Sequence, residues 1–289
     1  MRRRRKRVGI AGKAGFDDVK ITIAKPPMKR VGKRARTMYR GHSLPRLRGT
    51  MVSPRTLDEP SLRTLGQEWN ANVVRWQLIR STPPGAQTTL DDWDRWLESE
   101  LARLDSMLPL CRKYGLYVVL DLHSPPGGKG TAGGYSGSDS GLFNDKACQD
   151  RFVRAWEGMA RRYKGNRVIW GFDLANEPVE DEWDGQCDDW QALAERTARA
   201  VRAIDPQRTI IIEPAEWGGP GGLKNLVPLS VPNVVYSVHM YLPHEFTHQG
   251  VFGPSAPVVY PGEIGGKKWD KTAIREALQP AIDFQKAYN

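Results

Sequence analysis

From about residue 47, short runs of β-branched and apolar residues alternate with longer runs in which apolar residues recur every three or four positions. The first pattern predicts buried strands and the second amphipathic helices. "LRGTMVSP" (47–54) predicts a first strand, followed by a helix from Pro60 to about Trp69. Proline suits a helix start because the N–H it lacks would have had no partner there. "NVVRWQLI" (72–79) predicts a second strand. Trp93, Trp96, Leu97, Leu101, Leu104, Leu108 and Cys111 then mark one face of a long helix, which Gly115 stops. "LYVVLDLH" (116–123) reads as a third strand, apolar almost throughout, as a strand covered on both faces should be. The Gly/Ser-rich stretch over 124–141 reads as loop. Phe152, Trp156, Met159 and Tyr163 mark the next helix, "RVIWGFDLANEP" (167–178) a fourth strand, and Trp190, Leu193, Thr197, Val201 and Ile204 another helix. "RTIIIEP" (208–214) and "NVVYSVHMYLP" (233–243) predict strands five and six, and a last helix runs from about Asp270 with Ile274, Leu278 and Ile282 on its buried side.

Strands alternating with helices through short links predict a parallel sheet with right-handed crossovers. About six such units, with polar residues gathered where strands end, suit an incomplete (β/α)8 TIM barrel over 47–289. An open doubly wound α/β sheet is the alternative. No GxGxxG follows a strand and no GxxxxGK[ST] occurs, which counts against a nucleotide-binding version.

Charge divides the chain. Residues 1–48 hold 17 Lys/Arg against Asp17 and Asp18, a net +15, so with +10 overall the remainder carries −5. Residues 1–46 therefore read as a basic N-terminal extension. Nucleic acid is an unlikely partner for it, because it lacks interleaved aromatics and any nucleic-acid fold motif. No apolar segment follows the arginines, so no signal peptide is legible and the compartment stays open. Nothing approaches the roughly 20 consecutive apolar residues of a membrane span. Three separated cysteines, Cys111, Cys148 and Cys187, form neither a metal pair nor a disulfide framework.

Candidate chemistry collects at strand ends: Arg75 in strand two, His123 after three, Asn176 and Glu177 after four, Glu213 in five, His239 and Tyr241 in six. Alternation along a strand puts His239 and Tyr241 on a shared face, and likewise Asp173, Ala175 and Glu177. Together "NVVRWQL", "VVLDLHSPPGG", "GFDLANEP" and "VHMY" resemble the cellulases of glycoside hydrolase family 5, retaining enzymes on a (β/α)8 barrel. The resemblance covers roughly 47–289. It implies hydrolysis of a β-linked polysaccharide, cellulose-type glucan first and mannan second, without metal or organic cofactor. It further implies that Glu177 is the acid/base and that Asn176 binds the sugar 2-hydroxyl. Arg75, His123, His239 and Tyr241 would fill the remaining active-site positions. Trp217, and less so Trp76 and Trp183, are candidates to stack on sugar rings.

Such chemistry needs two carboxyl groups, one to protonate the leaving oxygen and one, roughly 5–5.5 Å away, to attack the sugar. The resemblance places the attacking Glu at the end of a seventh strand, whereas "DFQKAYN" (283–289) ends inside or just after the helix that follows strand six. The expectation is therefore a chain that stops before the nucleophile. The other option is Glu263 in "YPGEIGG", where the surrounding Pro and Gly spell turn rather than strand. Glu213 reads as a buried network acid. A barrel that binds glycans without cutting them is the alternative function.

Overall fold

Residues 46–80, 89–127, 141–180, 183–253 and 256–288 are described by a computed structural model. The basic extension, apart from Arg46, and most of the loop expected over 124–141 lie outside the described residues.

Six strands form one parallel sheet in sequence order: β1 (Gly49–Val52), β2 (Val73–Gln77), β3 (Tyr117–Asp121), β4 (Ile169–Asp173), β5 (Thr209–Ile212) and β6 (Val234–Tyr236). Between them run α1 (Glu59–Arg63, continued by a π-helical turn Thr64–Glu68), α2 (Leu90–Lys113), α3 (Lys146–Tyr163) and α4 (Trp190–Ile204). A doubly wound sheet needs a point where strand order reverses. The order here never reverses, so that alternative falls. Among the described residues β1 and β6 are the sheet's two edges, and the sheet is not closed.

Strand alternation splits the sheet into two chemistries. Trp76, Leu120, Phe172, Ile210 and Val234 form one row of cross-strand partners, all buried against the helices. The next row, Gln77, Asp121, Asp173, Ile211 and Val235, points to the other face and is polar at its first three positions. Trp76 is fully buried in the apolar row, so it belongs to the core and offers no ring to a sugar.

The helices hold the strand ends through tryptophan. Trp93 in α2, Trp156 in α3 and Trp190 in α4 donate their indole N–H to the backbone oxygens of Ser124, Leu174 and Glu213 at 2.9, 3.0 and 2.7 Å. Each acceptor lies just past β3, β4 or β5. Burying an indole removes on the order of 200 Å² from water. At about 25 cal/mol per Å² that far outweighs the ~1 kcal/mol of the hydrogen bond, so burial stabilises and the bond aims. Local signals set the helix limits. Thr89 and Asp92 form a reciprocal capping box at the start of α2, and Gly115 after its end sits at φ +70°.

Three expected elements differ. Strand four stops at Asp173 and strand six at Tyr236. Beyond Tyr236 the Ser237 N–H still reaches Ile212 O, but the His239 N–H turns to Gly218 O at 2.8 Å, and the ladder ends. The expected last helix is two, α6 (Lys271–Ala277) and α7 (Gln279–Tyr288). Pro280 explains the break, since its ring conflicts with the carbonyl four residues back. After β6 come a short helix α5 (His244–Thr247) and an antiparallel hairpin, β7 (Gly262–Ile264) with β8 (Lys267–Trp269). Ile264 and Trp269 pack with Ala273 in a small cluster separate from the main core.

Candidate active site

The polar face gathers around Arg75. Its Nε donates to Asp173 Oδ2 at 2.9 Å, and its Nη2 to Glu213 Oε1 at 2.8 Å. Nη1 pairs with Asp121 Oδ2 at 2.9 Å. Both terminal nitrogens also reach Asn176 Oδ1 at 3.1 Å. One guanidinium thus organises the ends of β3, β4 and β5. Burial works against its charge, but the three carboxylates outweigh that and hold the proton more firmly than usual. Asp173 responds oppositely: burial first, then the Glu213 charge, push it well above the ordinary carboxylate range despite Arg75.

His123 is buried, and its Nδ1 lies 2.9 Å from Asp121 Oδ2. Since a carboxylate only accepts, this contact puts the proton on Nδ1. The Gln77 amide nitrogen at 3.3 Å is therefore packed beside Nδ1 rather than donating to it.

Glu177 stands apart geometrically. Its φ of +44° is a left-handed conformation that few non-glycine residues adopt. Its N–H donates to Glu213 Oε2 at 2.7 Å, which holds that conformation in place. The turn breaks strand alternation beyond Asp173, yet Asp173 and Glu177 reach the same cluster, one through Arg75 and the other through His239. The Glu177 carboxylate meets His239 Nδ1 at 2.5 Å, and the far side of the ring, Nε2, meets Glu213 Oε1 at 3.0 Å. Burial disfavours the charged ring, but hydrogen bonds to Glu177 and Glu213 prevail and push His239 up to about 10. Tyr241 lies edge-on to His239 at 6.1 Å between ring centroids. Burial and the Glu177 charge raise its phenol.

Of the cluster's four carboxylates, Glu177 alone meets solvent appreciably. Its side chain is 22% exposed against 0% for Asp121 and Glu213 and 3% for Asp173. Trp217 is half-exposed on the turn after β5, where Glu216, Trp217 and Gly218 all have positive φ. Gly218 is required there twice over: by its φ of +66°, and because a Cβ would lie 3.0 Å from Glu213 Oε2. Trp183 is part of the core margin, its N–H on Cys187 O at 2.9 Å.

The structure thus brings Arg75, Asn176, Glu177 and His239 into one hydrogen-bonded cluster, joins His123 to it through Asp121, and sets Tyr241 against it. It does not bring in Glu263. That residue is exposed in β7, and among the described residues no hydrogen bond or ion pair links it to the cluster. Gly265 and Gly266 at positive φ do make a turn, but one that pairs β7 with β8, so Glu263 is in a strand. Reading strand ends passed over Asp121 and Gln77, and noted Asp173 only for the face it shares. Their signal is polarity at alternate positions of otherwise apolar strands. Among the described residues no group of His, Cys, Asp and Glu is arranged to hold a metal ion.

Comparison with known proteins bears on the family and the fold. The family profile "Cellulase (glycosyl hydrolase family 5)" matches residues 35–286. Endoglucanase C of Acetivibrio thermocellus is 32% identical over 223 residues, covering 68% of this chain and 62% of the relative. This chain therefore spans less than two thirds of that relative's length. Thermotoga maritima Cel5A solved with cellobiose is 26% identical, with a TM-score of 0.55 over 83% of this chain and 74% of that one. The same enzyme solved with mannotriose gives 25% and 0.54 over the same shares. The six-stranded sheet is accordingly of the TIM-barrel class.

Proposed function

The chain belongs to the cellulase family, glycosyl hydrolase family 5, and on that premise we propose that the whole protein hydrolyses a β-linked polysaccharide with retention, Glu177 acting as the acid/base and the attacking carboxylate lying outside the cluster formed by the described residues. The observation that carries the proposal is the partial exposure of the Glu177 carboxylate above three buried acids that are all tied to Arg75. A glycosidic oxygen leaves poorly unless protonated, so the group that meets substrate must supply a proton and later take one from water. Asn176 gives its oxygen to Arg75, which leaves its amide NH2 to donate to a sugar hydroxyl. The exposed ring of Trp217 offers a flat apolar face to a pyranose.

β-1,4-Glucan is the first substrate and mannan the second. The names of the relatives support this order, with endoglucanases prominent and one Thermotoga enzyme solved with both cellobiose and mannotriose. Among the described residues no helix is long and apolar enough to cross a membrane.

Two substitutions test the assignment together. Glu177→Gln should slow hydrolysis of β-glucan about a thousandfold, while the glycosylation step on an aryl glycoside with a good leaving group suffers far less. Glu263→Gln should stay within about twofold of the parent on both. Equal loss on both substrates would remove Glu177 from the acid's role. A loss in Glu263→Gln as deep as in Glu177→Gln would make Glu263 the attacking carboxylate.

A further inference from the structure

Glu213 is fully buried directly behind the acid/base, yet its carboxylate reaches three partners. Oε2 accepts the Glu177 N–H at 2.7 Å, and Oε1 accepts from Arg75 Nη2 at 2.8 Å and faces His239 Nε2 at 3.0 Å. The His239 ring is thus held between two carboxylates, Glu177 on Nδ1 and Glu213 on Nε2. A buried acceptor on Nε2 fixes a proton there, because the opposite tautomer would set a lone pair against a carboxylate. Orientation of an imidazole by a buried carboxylate is a known way of fixing which nitrogen does the chemistry.

We propose that Glu213 is a positioning residue: it clamps the Glu177 backbone and fixes the His239 tautomer, so that Nδ1 is the atom with which the Glu177 carboxyl exchanges its proton. The inference rests on Glu177 being the acid/base. In one state the ring carries both protons and Glu177 is a carboxylate. In the other the Nδ1 proton has passed to Glu177 Oε1, leaving a neutral ring that keeps its Nε2 proton toward Glu213. No proton is gained or lost between the two. The titratable groups against the ring are Glu177 beyond β4, Glu213 beyond β5 and Tyr241 beyond β6, and Glu213 links it through Arg75 of β2 to Asp121 and His123 at the end of β3 and to Asp173 of β4. Of these only Glu213 touches Nε2, so its charge acts on the ring directly. Gly218 lets the arrangement exist, since any side chain there would press on both Glu213 and His239.

The test uses the full chain labelled with 15N-histidine, read without substrate, and the His239 signal is assigned by its loss in His239→Gln. Glu213→Gln should lower the pH at which the ring gives up its charge by about one unit or more. Glu213→Asp, which keeps the charge, should restore the titration toward the parent. On β-glucan, Glu213→Gln should move the alkaline limb of kcat/KM to lower pH and reduce kcat, with KM within about twofold. An unmoved ring titration in folded Glu213→Gln, or identical behaviour of the Gln and Asp variants, overturns the proposal. If Glu213→Gln does not fold, a Glu213→Asp ring that titrates about one unit or more below the parent overturns it as well. Failure of the acid/base reading shows separately, as equal loss on both substrate types in Glu177→Gln.

Discussion

Two arginines, Arg75 partly buried and Arg208 buried, stand at opposite ends of the same sheet and do different work. Arg75 lies among the strand C-terminal ends, bound to Asp121, Asp173, Glu213 and the Asn176 amide. Arg208 immediately precedes β5, one four-residue strand or about 13 Å from Glu213. Its guanidinium donates to the backbone oxygens of Tyr163 (2.7 Å), Asn166 (3.1 Å) and Ile169, and pairs with Asp205. It also lies over the Phe172 ring, 5.2 Å from the centroid. Arg75 faces three carboxylates whose protonation can change, while Arg208 faces three carbonyls whose charge cannot and a single carboxylate, Asp205. The C-terminal end of the sheet is therefore built to hold a proton balance, and the N-terminal end to close off the last turn of α3 and the start of β4.

Three experiments press on this contrast. The largest effect is expected from Arg75→Met. It leaves buried carboxylates without their shared cation, which should cost about 3–5 kcal/mol of stability in urea unfolding at neutral pH. Lowering the pH should recover part of this, because the orphaned acids take up protons. A loss independent of pH would mean that Arg75 acts by packing alone. Arg208→Met should cost about 2–4 kcal/mol by leaving buried carbonyls unpaired, with a much smaller recovery at low pH, since Asp205 is its one acidic partner. At a temperature where the variant is folded, glucan hydrolysis should persist. A recovery like that of Arg75→Met would erase the distinction between the two ends.

The smallest effect concerns His239. Its proton is held more tightly in the folded chain than the ordinary 6.5, up to about 10. The stability gained from its charged contacts is therefore complete below about pH 6.5 and is lost as pH rises through about 10. The difference in melting temperature between the parent and His239→Gln should accordingly narrow from pH 6 to pH 10.5. A gap that stays constant across that window would show that the ring is neutral throughout.

Much of the fold was legible in the chain because strands and helices announce themselves through period. The long α2 face from Trp93 to Cys111 is buried as the spacing predicts, with Trp96 at its margin. Arg75, Asn176, Glu177 and His239 were legible because charged or amide groups at the ends of apolar strands have few structural uses. The sequence by itself thus determined the parallel α/β order, the apolar row and the types of side chain at the strand ends. Which of them touch was decided by tertiary structure. Glu213 clasps an amide 36 residues away and Arg75 an acid 138 residues away. Period along a strand carries no information about such partners. Nor does it report the left-handed turn that takes Glu177 out of the strand's alternation, because that φ is held by a hydrogen bond from another strand's end. The same reason separates Glu177 from Glu263. Each follows an apolar or glycine-rich stretch in the sequence, but only Glu177 meets a carboxylate and an imidazole that the sheet has already fixed in place.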